Sequence, residues 1–79
     1  MSPTVFREEG YRLFFFSREE CRMHIHVSSA DGEAKFWLEP KVELSRSYRY
    51  SRREVKVIQS LVEGNRDELV SAWRQYFLS

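Results

Sequence analysis

Apolar and polar positions follow two rhythms along this chain. After two apolar stretches at 4–6 and 11–16, residues 24–39 alternate with the period of two that belongs to strands with one wet face. From Ser51 onward the apolar residues recur at three and four, the spacing of a helix lying on a core. The expected fold is α+β and a single domain over residues 1–79. A β-meander over 1–45 forms an antiparallel sheet of three to four strands, packed by one long C-terminal helix over 51–78.

Residues 4–6 and 11–16 are apolar stretches joined across 7–10, where Gly10 can take the positive φ of a hairpin turn. The run from Leu13 to Phe16 is apolar on both faces, which predicts a central strand: one side lies under a helix, the other is partly covered or used for binding. A loop over 17–22 follows. The stretch RMHIHVSSADGEAKFWLE predicts a second hairpin, with Asp31-Gly32 as its two-residue turn. That turn pairs Ile25 with Leu38, Val27 with Phe36, His26 with Trp37 and His24 with Glu39. Ile25, Val27, Phe36 and Leu38 then share the core face, and His24, His26, Ser28, Lys35, Trp37 and Glu39 share the other.

Pro40 ends the fourth strand because it has no donor for the ladder. KVELSRSYRY reads as an extended connector or a short edge segment of mixed polarity. Ser51 followed three residues later by Glu54 is a capping box. Val55, Ile58, Val62, Leu69, Ala72 and Tyr76 continue one apolar stripe, with Asn65 filling its gap. The phase survives Gly64-Asn65, so one helix, bent at Gly64, is expected in preference to two helices with a turn there. Trp73, Tyr76 and Phe77 are expected to pack on the sheet or to serve an oligomer interface.

Composition narrows the function classes. Seventy-nine residues with 15% aromatics can fold, but the core is small, and pairing with a second copy or another protein would add stability. The single cysteine, Cys21, excludes an internal disulfide, and the N-terminus lacks a basic region followed by an apolar run. A cytoplasmic location is the default expectation, with no membrane partner, since no apolar run approaches the roughly twenty residues of a span. Net charge is +1, so no whole-protein field directs the chain to nucleic acid. No motif names a cofactor.

Three groups carry candidate chemistry. His24 and His26, on alternate positions of one strand, stand about 7 Å apart and could chelate a metal with Glu39 opposite. Without a fourth ligand they are otherwise two half-exposed histidines bonded to Glu39 beside Trp37. The same face holds the parts of a metal-independent ribonuclease, with His24 or His26 as general base, Glu39 orienting it, and Lys35 or Arg22 stabilising developing charge. The third group is Arg46, Arg49, Arg52 and Arg53 interleaved with Tyr48 and Tyr50, a pattern of guanidinium groups and rings suited to single-stranded RNA or DNA. Arg52 and Arg53 also sit at the positive end of a helix dipole, which favours an external anion or acidic partner. Cys21 has no evident partner base, and Glu8, Glu9, Glu19 and Glu20 form an acidic end.

The runs FREEGYR, FFFSREE, HIHV and DGEAKFWLEP, followed by a helix ending near Trp73, resemble the small bacterial family catalogued as domain of unknown function 4160. The resemblance covers nearly the whole chain. Its matching positions are Phe6, Gly10, Phe16, Ser17, Glu19, His24, His26, Val27, Gly32, Ala34, Lys35, Trp37 and Leu38, while Met23 replaces the proline usual before the first histidine. The family has no established activity. Its members are typically encoded beside a second family of unknown function, number 2442, in pairs catalogued as candidate toxin–antitoxin modules. The resemblance therefore implies a small interaction module of a two-gene system, binding a protein partner encoded nearby through the sheet's open face or edge, including Trp37. The alternatives are a ribonuclease using the His24/His26 face and a nucleic-acid-binding regulator using residues 46–53.

Overall fold

Glu9 and Gly10 both take positive φ, 52° and 85°, so the first hairpin closes through the two-residue turn whose twist matches its strands. It joins β1 (Thr4–Glu8) to β2 (Tyr11–Phe14). The chain continues through β3 (His24–Ser29), β4 (Gly32–Trp37) and β5 (Glu43–Tyr48), then α1 (Arg52–Gly64) and α2 (Arg66–Leu78). The computed structural model describes residues 4–15 and 22–78. The expected strand end at Phe16, the loop over 17–21, Cys21 and the acidic pair Glu19/Glu20 lie outside them.

The five strands form one antiparallel meander in the order β1-β2-β3-β4-β5. The α+β class holds, but the sheet has five strands where three to four were expected. The extra one is β5, an edge strand whose residues are all exposed and therefore show no buried alternation.

The β3–β4 register differs from the expected one by two residues. His24 pairs with Trp37, Ile25 with Phe36, His26 with Lys35 and Val27 with Ala34, around a turn at Ala30-Asp31. Gly32 is the first residue of β4 and not a turn residue. A Cβ there would collide with the Tyr48 carbonyl oxygen and lie 3.2 Å from the Arg49 Cβ and 3.3 Å from the Tyr50 ring. Glycine is needed for a close backbone crossing, not for a positive φ. The Ser29 hydroxyl helps fix this turn by accepting from the Asp31 N–H at 3.2 Å.

A shift of two residues leaves every side chain on its expected face. Leu13, Phe15, Ile25, Val27, Ala34, Phe36 and Leu38 are buried against Ile58, Leu61 and Val62 of α1 and Leu69 and Trp73 of α2. Burying each large aliphatic side chain stabilises the fold by about 1.5–3 kcal/mol.

The single long helix is corrected to two. The capping box opens α1 as expected, with Glu54 N–H donating to Ser51 Oγ and Ser51 N–H to Glu54 Oε1, both at 3.1 Å. Asn65 ends α1 at φ −117° and donates from Nδ2 to the Leu61 carbonyl at 2.8 Å. Its own carbonyl accepts from Leu69 N–H at 3.0 Å, starting α2. Arg66 Nε donates to the Leu38 carbonyl at 2.8 Å, a tertiary bond that holds the chain to the β4–β5 loop where a continuous helix would pass.

Candidate functional site

On the sheet face opposite α1, registry places side chains in rows across the strands. One row is Phe14, His26, Lys35 and Arg46; a second, two residues further along, is Arg7, Arg12, Ser28, Glu33 and Tyr48. At about 4.8 Å per strand step, the first row runs roughly 14 Å, and the second lies about 7 Å beyond it. Between them is an open groove of about 600 Å³ lined by Phe14, His26, Glu33, Lys35, Arg46 and Tyr48. The Arg12 guanidinium lies 4.4 Å over the Phe14 ring, and Phe14 stacks on His26 at 5.4 Å. These contacts hold the groove's floor in place.

The two histidines do different work. His24 is 2% exposed, and its Nδ1 donates to the Arg22 carbonyl at 2.9 Å. Its ring lies 5.0 Å from Trp73 and 5.2 Å from His26. Trp73 also meets Phe15 edge-on at 5.6 Å, so α2 closes the sheet end where β2 finishes and β3 begins. His24 is thus a closed-in core residue and not a half-exposed one, whereas His26 is partly exposed in the groove. Trp37, not Glu39, stands opposite His24, which removes the expected third metal ligand and the expected hydrogen-bond partner. Among the described residues no three metal-ligating side chains converge.

Either Lys35 or Arg22 is expected to stabilise developing charge, and both lie over the same Trp37 ring. Arg22 Nε donates to the Glu39 carbonyl at 2.9 Å, its guanidinium lies 4.3 Å over Trp37, and it pairs with Glu43 at 3.6 Å. It is a pin for the β4–β5 loop. Lys35, only 6% exposed, carries its Nζ 4.6 Å over the same Trp37 ring and belongs to the groove.

The basic segment over 46–53 divides likewise. Arg46 and Tyr48 line the groove, and Tyr48 is 67% exposed. Arg49 turns the chain at φ 70°. Tyr50 faces the other way: its hydroxyl donates to the Gly32 carbonyl at 2.8 Å, so the Ser29 hydroxyl, also at 2.8 Å, donates to it. Tyr50 meets Tyr11 edge-on at 6.2 Å and is a structural clasp, not a stacking platform. Its hydroxyl pKa is raised by burial, which outweighs the lowering by Ser29. Burial also raises that of Tyr11, with the charges of Glu54, Asp31 and Glu9 adding to it. Arg52 and Arg53 are exposed at the start of α1.

Arg12 and Phe14 join the site without having been singled out individually. Their signal is parity with His26 across β2 and β3, readable once the strands are aligned.

The family model described as "Domain of unknown function (DUF4160)" matches residues 10–74. No curated protein and no solved structure matches the chain.

Proposed function

Because the chain belongs to the DUF4160 family, whose description assigns no activity, we propose that it is a small interaction module: the family resemblance suggests one component of a two-gene toxin–antitoxin-like system, and the geometry suggests docking of its protein partner along β5. The observation that carries this reading is the edge position of β5 together with the exposure of every residue from Glu43 to Tyr48. An edge strand presents a row of outward N–H and C=O groups that a partner strand can satisfy. Leu44, 36% exposed, adds an apolar contact beside it.

The two-histidine ribonuclease is less well supported. His24 is buried and bonded to Arg22, which leaves His26, partly exposed but with its Nε2 buried, and Lys35 opposite it.

The test mixes the protein with the product of the gene encoded beside it and follows mass by light scattering and amide hydrogen exchange. A complex with slowed exchange over Glu43–Tyr48 is the expected result. An unchanged mass overturns the partner reading, and protection confined to α1 and α2 overturns the edge.

A further inference from the structure

The groove on the sheet face has a chemistry distinct from the β5 edge. Its exposed wall pairs a ring, Tyr48, with a guanidinium two residues away on the same face, Arg46. Its floor continues the cationic row through Lys35, and Arg12 and Arg7 follow in the next row. A volume near 600 Å³ is in the range of small-ligand sites. Glu33 is the one carboxylate among the lining residues. It opposes a ligand that is anionic throughout, such as an acidic peptide, but can accept from the exocyclic amine of a nucleobase.

We propose that this groove binds a segment of single-stranded nucleic acid, a base stacking on Tyr48 while an adjoining phosphate meets Arg46. A duplex hides its base faces and does not fit this arrangement, because stacking on a side chain requires an unstacked base. The proposal concerns side chains of the face and does not depend on a protein partner at the edge.

The experiment is fluorescence anisotropy of the full chain with a labelled single-stranded RNA of about 12 nucleotides, within the site sizes of stacking platforms. The same sequence as a duplex is measured beside it. Expected are preference for the single strand and a five- to 150-fold loss for Tyr48→Ala, from about 1–3 kcal/mol of stacking per base. Arg46→Gln lowers the slope of log affinity against log salt by about 0.7, one phosphate contact on a single strand. Arg53→Gln, outside the groove, leaves affinity and slope near wild type. Circular dichroism confirms that each variant is folded; all three positions are exposed.

Four results overturn the proposal. They are no saturable binding below about 100 μM at low salt, equal affinity for the duplex, an Arg53→Gln loss equal to that of Arg46→Gln, and displacement of the RNA by polyglutamate or a nucleoside monophosphate at the concentration of unlabelled RNA that suffices. Polyglutamate displacement would assign the groove to an acidic protein segment, and mononucleotide displacement to a free nucleotide.

Discussion

Replacing Gly32 by alanine adds one methyl group at a close backbone crossing in the sheet. The new Cβ meets the Tyr48 carbonyl oxygen, which is backbone and cannot rotate away, as well as the Arg49 Cβ and the Tyr50 ring. Relief requires the end of β5 to move off β4. Overpacking of this kind costs about 1–3 kcal/mol. The same movement draws Tyr50 from the Gly32 carbonyl, and the lost hydrogen bond costs about 1 kcal/mol more. Gly32→Ala is therefore expected to destabilise by about 2–4 kcal/mol, measured by urea unfolding followed through tryptophan fluorescence. Combining it with Tyr50→Phe tests the mechanism, because a bond already broken by the alanine cannot be lost twice. The double variant should be more stable than the sum of single effects implies by about 1 kcal/mol. A Gly32→Ala cost below about 0.5 kcal/mol, the ordinary range of surface substitutions, or strict additivity with Tyr50→Phe, would refute the argument.

Gly64 has open space where a Cβ would go and no positive φ, so Gly64→Ala should stabilise by about 0.5–1 kcal/mol and raise the melting temperature. Ser51→Ala removes the capping box and should cost about 1 kcal/mol in the same urea assay. Because folding raises the hydroxyl pKa of Tyr11 and Tyr50 above 10.0, the stability they contribute is complete below pH 10.0 and is lost as pH rises from there through their folded values. Tyr50→Phe should flatten that alkaline loss; an unchanged pH profile would count against it. Purified protein should leave RNA intact by gel electrophoresis, and a cleavage abolished in a folded His26→Ala variant would reinstate the enzyme reading.

The division of residues between the two sheet faces was legible because alternation survives a register shift of two. The partners were not legible, since DG is a strong hairpin signal and the reason for Gly32 lies sixteen residues away at Tyr48. Nothing in the polarity of ELSRSY marks β5 as a strand, because none of its positions is buried. The helix break hid behind a preserved phase: Asn65 occupies a stripe position, and Arg66 reaches Leu38 through a contact that local periodicity does not contain. The groove was visible in part, as His26, Lys35, Arg46 and Tyr48. Removing His24 from the site required Trp73, which comes from the far end of the chain.

The clasp at Tyr50 gives the edge strand a polarity in time as well as in space. At its C-terminal end β5 is tied to the opposite hairpin turn through Gly32 and Ser29. At its start, the ion pair between Glu43 and Arg22 is solvent-exposed at 3.6 Å and contributes little. Fraying of β5 should therefore begin at Glu43 and stop before Tyr48, like a zip fastened at one end. Arg46 and Tyr48, two of the groove's exposed side chains, sit on the fastened half, so the strand can breathe without scattering the residues that would grip a ligand.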